Sequence, residues 1–234
     1  SEMCIRDRNL SIDLSKGKYI MFIDGDDWLP EDALEKLYTL LKTNKTDYAT
    51  GLTKYVHSDR IARSGVALSK IAYNKVDLKH FRKSFYHLAP AGRMIKASVI
   101  KKNHIQFPEM IFGEDLQFFA EVFFNTKRIS TTQDVVYCAN RYDDNISLVK
   151  SEKSTHINRM KWQGEAYRHL MSKYKNNKLM PNLLYRIINK DVLEAKFYKK
   201  GFIKNINELL PIFQNIIHMV DEHFDALDLS LIHI

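Results

Sequence analysis

The chain has little cysteine, no long apolar run and no internal repeat. Its two cysteines, Cys4 and Cys138, are too few for a disulfide framework or a zinc site, which suits a reducing cytoplasm. No apolar run approaches the roughly 18 residues that cross a membrane, and no charged-then-apolar secretion signal opens the chain. The 234 residues are 45% hydrophobic and 12% aromatic, which supplies a sizeable core and excludes wholesale disorder.

The net charge of +8 is unevenly distributed. Residues 153–204 contain thirteen Lys and Arg against three acids, whereas residues 208–228 contain five acids and neither Lys nor Arg. Such a basic stretch indicates an anionic partner, either a polyanionic substrate, a lipid surface or a nucleic acid. A solvated helix face explains it equally well. Because no nucleic-acid-reading motif accompanies the charge, we expect no nucleic-acid partner.

Residues 19–27 carry the most chemical information. The apolar run 19–23 predicts a buried strand, and Asp24, Asp26 and Asp27 follow it directly. Carboxylates crowded at the end of a buried strand repel one another unless a cation lies among them. Hard oxygen ligands suit Mg²⁺ or Mn²⁺, above all when substrate phosphates complete the coordination. We therefore predict a metal and diphosphate site at the edge of an α/β sheet.

Three alternatives compete for these aspartates. A helix start at Pro30 would explain Asp27, but it does not explain Asp24. An EF-hand loop from Asp24 would place Leu29 where that loop requires glycine. A phosphatase-type aspartate nucleophile is the third, although no matching Lys or Thr signature follows.

A second acidic pair, Glu114 and Asp115, precedes the apolar segment 116–124, which predicts a helix. The helix amides favour an ionised carboxylate, whereas the surrounding phenylalanines favour the neutral acid. A carboxylate between these influences could act as a general base on a hydroxyl. An ordinary helix cap is the simpler interpretation of the pair taken alone. The metal hypothesis requires both acidic groups to converge on one cleft.

The remaining pattern predicts strands alternating with helices before residue 150 and helices alone afterwards. We expect a domain over 9–150 and a helical extension over 151–228. Residues 1–8 and 229–234 resemble translated adapter sequence, so we set both ends aside and expect a longer natural protein. The predicted helices cover 9–15, 31–43, 74–86, 97–103, 116–124, 155–174, 182–199 and 203–224. The predicted strands cover 19–23, 47–54, 105–108 and 135–138, and residues 90–96 are expected to form a turn that enters a strand.

Taken together, the motifs over residues 8–150 resemble family 2 glycosyltransferases with the GT-A fold. The segments RNLSI at 8–12 and SKGKYI at 15–20 are similar to the helix leading into that family's metal-binding strand. IDGDDW at 23–28 resembles its Asp-X-Asp motif, and FGED at 112–115 resembles the motif that carries the catalytic base. GRMIK at 92–96 and NRYDDNIS at 140–147 resemble segments beside the donor sugar and over the diphosphate. The resemblance implies a partial GT-A domain followed by helices.

The resemblance also implies the chemistry. Asp26, helped by Asp24, would hold Mn²⁺ or Mg²⁺ against the diphosphate of a nucleotide-sugar such as a UDP-sugar. Asp115 would deprotonate the acceptor hydroxyl for an inverting displacement, and Glu114 would orient the site. The implied donor sugar is N-acetylglucosamine or glucose.

Four further residues are implied to contact the donor. These are Asn9, Arg93, Arg141 and Ser147, in addition to Asp24. A surface salt bridge and an ordinary turn are the alternative interpretations of Arg141 and Ser147. Two departures from the family matter: Asp143 and Asp144 stand where relatives often carry histidine, and 23 residues precede Asp24, too few for a base-binding βαβ unit.

Within the family, the loop at 141–147 and the helical extension most resemble wall teichoic acid and capsule glycosyltransferases. This implies an anionic surface-polymer acceptor and a cytoplasmic protein, with peripheral association at the inner face of the plasma membrane. The second hypothesis is a non-catalytic module or fragment whose helical extension binds an anionic polymer or forms a homo-oligomer.

Overall fold

The computed structural model describes residues 2–64, 71–142, 156–194 and 206–222. Strands and helices alternate over the first two ranges, and the last two ranges are helical. The predicted α/β class and the helical C-terminal part are confirmed. The elements are α1 (Glu2–Leu14), β1 (Tyr19–Met21), α2 (Ala33–Asn44), β2 (Tyr48–Val56), β3 (Ile61–Ser64), β4 (Val76–Asp77), β5 (Arg93–Lys96), α3 (Ala97–Lys102), α4 (Glu114–Phe124), β6 (Arg128–Asn140), α5 (His156–Lys173), α6 (Met180–Arg186) and α7 (Ile206–Asp221).

The strands of the described ranges form one mixed six-stranded sheet. Its order is β1-β5-β2-β6-β4, and β3 pairs with β2 off this path. The central strand β2 runs parallel to β6 and antiparallel to β5. Edge strand β1 pairs antiparallel with β5, with Ile20 opposite Ile95. This order places β1 beside β5. Helix α4, which carries Glu114 and Asp115, packs against the same sheet.

Helix α2 covers one face of the sheet through a narrow apolar stripe. Ala33, Leu37 and Leu41 are buried against a group from β2, β5 and β6. Their spacing of four residues places them on one side of a helix. Leu34, which is also apolar, lies outside this stripe and is 52% exposed. The helix ends at Lys45, whose left-handed backbone (φ 52°) returns its amide to the Leu41 carbonyl.

Helix α4 lies in the centre of the molecule. All nine residues from Leu116 to Phe124 are buried. A helix that is apolar all round must be covered on every side, here by the sheet and by α5. Phe118 stacks on Phe107 and meets Phe22 edge-on, which joins α4 to the segment after β1. This packing fixes where the N-terminus of α4 emerges.

The C-terminal helices share this same core. Residues of α5, α6 and α7 belong to the apolar cluster that contains α4. The buried carboxylate of Glu121 on α4 accepts hydrogen bonds from Lys173 (2.5 Å) and Tyr174 (3.1 Å) and contacts His169 (3.0 Å). Among the described helices, none combines the length and apolar content needed to cross a bilayer.

Several predicted elements differ from the structure. The predicted helix over 74–86 is wrong, because this stretch forms the short strand β4 and two 3₁₀ turns, Leu78–His80 and Arg82–Tyr86. Residues 105–108 form no strand. The predicted strand at 135–138 is the end of the longer β6, and β3 was not predicted. After α6 the chain continues as a π-helical segment, Ile187–Glu194.

The N-terminal residues also differ from expectation. Residues 2–8, which we had set aside, belong to α1, and Ile5 is buried in the main core. Residue 1 and the predicted tail at 229–234 lie outside the described residues.

Asn182 joins helix α6 to the segment 78–84. Its amide donates to the Leu78 carbonyl (2.8 Å) and the Phe81 carbonyl (3.2 Å) and contacts the Ser84 hydroxyl (3.3 Å). We expect Asn182→Ala to lower the free energy of unfolding by about 1–3 kcal/mol, because buried carbonyls lose their donor. Urea denaturation measures this loss.

The matched control is Asn176→Ala, at an exposed position in the turn between α5 and α6. We expect it to change the unfolding free energy by less than about 0.5 kcal/mol. Equal stabilities for the two variants would contradict the structural role of Asn182.

Candidate active site

The acidic loop after β1 is anchored by Asp27. Its Oδ2 accepts a hydrogen bond from the Tyr137 hydroxyl (2.7 Å) and its Oδ1 from the Asn140 amide (2.8 Å). The same Tyr137 hydroxyl accepts from the Asp24 amide (3.2 Å). Trp28 and Cys138 pair through their backbones in both directions. Asp27 is therefore a structural anchor between the loop and β6, and it does not cap α2, which begins at Ala33.

The loop itself begins earlier than predicted. Strand β1 ends at Met21, and Ile23 is 48% exposed, so the expected fully buried strand over 19–23 is wrong. The chain leaves the sheet before the acidic residues. Asp26 is exposed and Asp24 is partly buried, which leaves both carboxylates accessible to solvent.

The second acidic pair occupies the first turn of α4. Gly113 precedes it with φ 91°, a backbone conformation that side-chain-bearing residues rarely adopt. Burial raises the pKa of Asp115 to about 7, and adjacent Glu114 adds to the increase, whereas Arg8 opposes it. Burial likewise raises the pKa of Glu114. We expected the helix amides to lower the pKa and burial to raise it. The effect of burial is the larger.

One guanidinium joins the two acidic groups. Arg8 on α1 donates from Nη2 to Asp24 Oδ1 (3.0 Å) and from Nη1 to Asp115 Oδ1 (3.2 Å). Asp24 and Asp115 are 91 positions apart in the chain, yet they contact the same side chain. The expected convergence of these two carboxylates is therefore observed. Sequence reasoning missed Arg8, although it opens the RNLSI motif.

Asn9 holds α1 in place. Its side-chain amide donates to the Phe107 carbonyl (2.9 Å), and its Oδ1 accepts from the Phe107 amide (2.8 Å). Both polar ends of the side chain are thus engaged by one backbone segment. We had assigned Asn9 to the donor, and this pairing instead supports a role in positioning the neighbouring Arg8.

Arg93 lies inside the protein behind Asp115. It is 1% exposed, packs over the Phe119 ring (5.1 Å) and donates to the His87 carbonyl (2.8 Å). Its Nη2 also contacts His87 Nδ1. Burial lowers the pKa of Arg93, and the positive charge of Arg93 lowers the pKa of His87 further than burial alone. The positive charge of Arg93 lowers the pKa of Asp115. The side chain does not reach the surface, where we expected a donor contact.

The predicted closing loop is described only at its start. Arg141 follows β6, donates to the Asn140 carbonyl (2.7 Å) and lies over the Tyr55 ring (5.2 Å). It is exposed, on the same strand end that anchors Asp27. Ser147, Asp143 and Asp144 lie outside the described residues.

The donor set suits a hard divalent ion. Among the described residues no group of three or more His, Cys, Asp or Glu side chains is arranged to hold a metal. Mg²⁺ and Mn²⁺ commonly take one or two carboxylates and fill the other positions with substrate phosphates and water. Asp24 and Asp26, two residues apart on one loop, supply that number of oxygen ligands. The residues present therefore fit such an ion.

Comparison with known proteins relates the first part of the chain to a family. The family model described as "Glycosyl transferase family 2" matches residues 3–103. A solved structure of TarS residues 1–349 from S. aureus in complex with UDP-GlcNAc superposes with a TM-score of 0.70 at 21% identity, covering 95% of this chain and 63% of that one. The chain thus has the GT-A fold of TarS, and its residues 3–103 belong to glycosyl transferase family 2.

Two curated relatives are both named as poly(ribitol-phosphate) glycosyltransferases. The poly(ribitol-phosphate) beta-glucosyltransferase of Bacillus spizizenii is 34% identical over 131 residues, or 56% of this chain. The poly(ribitol-phosphate) beta-N-acetylglucosaminyltransferase TarP of Staphylococcus aureus is 31% identical over 164 residues, or 68% of this chain. The chain spans 20% and 46% of the lengths of these two relatives.

The raised pKa of Asp115 predicts a pH-dependent stability. Asp115 ionises near pH 7 in the folded chain and near its ordinary 3.8 in the unfolded chain. Ionisation therefore favours unfolding increasingly as pH rises from about 4 to 7. We expect Asp115→Asn to be more stable than the wild type at pH 8 and to lose this advantage near pH 4, as measured by urea denaturation.

Asp134→Asn is the control of opposite sign. A hydrogen bond from Thr132 lowers the pKa of Asp134, so its ionised form stabilises the folded chain at neutral pH. We expect this variant to be slightly less stable than the wild type at pH 8. A stability difference for Asp115→Asn that does not vary with pH would contradict the assigned pKa.

Proposed function

We propose that this protein transfers a sugar from a UDP-sugar to a hydroxyl group of an anionic surface polymer, with inversion at the anomeric carbon. The observation that carries the proposal is the convergence of Asp24 and Asp115 on one side chain, Arg8. Family 2 membership supports the reaction class. The poly(ribitol-phosphate) glycosyltransferases among the relatives support a teichoic acid-like acceptor.

Asp115 is the general base in this proposal. A carboxyl group with a pKa of about 7 is ionised in a substantial fraction of molecules at neutral pH and still holds a proton well. It would take the proton of the acceptor hydroxyl as that oxygen bonds to the anomeric carbon. The bond from the anomeric carbon to the diphosphate then breaks, and UDP leaves from the opposite side. Glu114, beside it, would hold the acceptor in position.

Asp26 and Asp24 would hold the divalent ion. When bound, Mn²⁺ or Mg²⁺ neutralises the negative charge that develops on the departing diphosphate. The exposed position of Asp26 and the partial exposure of Asp24 leave both carboxylates accessible from solvent. Other residues of this chain would position the substrates and supply positive charge.

Two arginines take different parts in the proposed site. Arg141, exposed at the end of β6, would pair with phosphate oxygens, and Ser147 would do the same. Buried Arg93 acts behind Asp115, where its positive charge lowers the pKa of that carboxyl and favours the ionised base. The donor sugar is N-acetylglucosamine or glucose, as in the relatives.

The alternative of a polymer-binding helical module receives less support. Several cations of the basic stretch already have intramolecular partners in the described residues. Arg186 pairs with Asp191 (3.1 Å), Lys173 with Glu121 (2.5 Å) and Arg168 with Glu165 (2.7 Å). Three of the thirteen cations of this stretch are therefore neutralised within the fold, which favours the solvated-face interpretation.

The base assignment is tested by Asp115→Asn in the full-length protein. An amide cannot accept the hydroxyl proton, so we expect kcat for Mn²⁺-dependent UDP release in the presence of poly(ribitol phosphate) to fall roughly 100-fold or more. UDP-GlcNAc and UDP-glucose are compared as donors in parallel.

Asp134→Asn serves as the matched control, because Asp134 pairs with Lys36 of α2 (3.4 Å) and accepts a hydrogen bond from Thr132, and it has no proposed role in the reaction. Its kcat should equal that of the wild type. Unchanged activity in Asp115→Asn would remove Asp115 as the base, and a wild type that releases no UDP with either donor would refute sugar transfer.

A further inference from the structure

A single side chain already occupies the place of a cation between the two acidic groups. The Arg8 guanidinium lies 3.0 Å from Asp24 Oδ1 and 3.2 Å from Asp115 Oδ1. The Arg8 side chain is 26% exposed and the two carboxylates are 46% and 30% exposed. The pairs are partly exposed, so salt screens them in part. The pairing nevertheless neutralises Asp24 in the absence of any metal ion.

The position of Arg8 is fixed by the fold around it. Its guanidinium lies over the Phe107 ring (5.3 Å), and Asn9 pins the same turn of α1 to the Phe107 backbone. One turn to either side, Ile5 and Ile12 are buried in the main core. An aromatic face, a side-chain amide and two buried isoleucines thus hold the guanidinium where both carboxylates meet. A flexible surface arginine would lack these constraints.

We propose that Arg8 is a positioning residue that holds Asp24 and Asp115 together in the ion-free site and is exchanged at Asp24 for the divalent cation. The proposal rests on the proposed function, because it concerns the same metal and base. It adds a role for a residue outside the acidic motifs. After the exchange, Arg8 keeps its contact with Asp115.

The physical basis is competition between positive charges for one carboxylate. A divalent ion held by Asp24 and Asp26 would lie close to the Arg8 guanidinium, and like charges at that distance repel. The ion must therefore displace Arg8 from Asp24 or bind against its charge. Either way, a positive charge at position 8 weakens ion binding. Without it, Asp24 and Asp115 have no shared cation, and their mutual repulsion increases the affinity for Mn²⁺.

The test measures Mn²⁺ binding to the full chain, without donor or acceptor, from the electron paramagnetic resonance signal of free Mn²⁺. Arg8→Met keeps an unbranched stem to pack on Phe107 and removes the charge. We expect it to bind Mn²⁺ roughly tenfold more tightly than the wild type, which corresponds to about 1.4 kcal/mol. Arg8→Lys keeps the charge and should stay within about twofold of the wild type.

Arg6→Met is the matched control on the same helix. Arg6 pairs with Glu109 at 3.4 Å, and both side chains are about 70% exposed. Its loss should leave Mn²⁺ affinity unchanged. Arg8→Gln provides a second uncharged variant if Arg8→Met fails to fold, as judged by circular dichroism.

The outcomes separate this inference from the proposed function. Tighter Mn²⁺ binding in the uncharged variants alone supports competition between Arg8 and the ion for Asp24, which the exchange requires. It does so even if the wild type releases no UDP, a result that would refute sugar transfer instead. Equal or weaker binding in the uncharged variants overturns the exchange. Absence of Mn²⁺ binding in every chain also overturns it, because the exchange requires an ion at Asp24.

Discussion

Complete burial of helix α4 is the constraint on which the site depends. Nine successive residues without an exposed side chain require cover from every direction, so the sheet and α5 both pack on this helix. The end of such a helix cannot shift without opening the core. Its first turn carries Glu114 and Asp115, and Gly113 makes the abrupt entry possible. A rigid apolar element thus presents a carboxylate at a defined place, where a loop could not hold it as firmly.

Arg8 then connects this rigid helix to the more adaptable acidic loop. Asp27 ties the loop to β6, but Asp24 and Asp26 remain partly or fully exposed. In the described residues, one guanidinium supplies positive charge to both carboxylates, so the arrangement resembles a metal site in which an arginine substitutes for the ion. Two carboxylates that share one cation are stabilised whether that cation is the guanidinium or a metal ion. The fold can therefore assemble the cleft before any ligand arrives.

The pattern of apolar residues predicted the elements that are buried on one side or completely. It failed where contacts between distant parts of the chain determine the local structure. Helix α2 was found from its apolar spacing because packing repeats with the period of the backbone, strand β2 from an imperfect alternation and helix α4 from its continuous apolar segment. The stretch 74–86 lacks such a repeat. Its 3₁₀ turns depend on Asn182, about a hundred positions away, which hydrogen-bonds their carbonyls. Arg8 was missed for the same reason, since its partners lie 16 and 107 positions along the chain.

Helix α4 carries a second buried acid, and the contrast between the two explains why Asp115 suits chemistry. Glu121, two turns further along, is surrounded by Lys173, Tyr174 and His169, so its oxygens are saturated by partners from α5 and the residue after it. Asp115 is partly buried as well, but it shares one arginine with Asp24 and stands beside another acid, which leaves its proton affinity raised. On the same helix, Glu121 therefore binds residues of the C-terminal part, whereas the negative charge of Asp115 is only partly balanced by Arg8. A carboxylate whose charge is only partly balanced is the one able to exchange a proton near neutral pH.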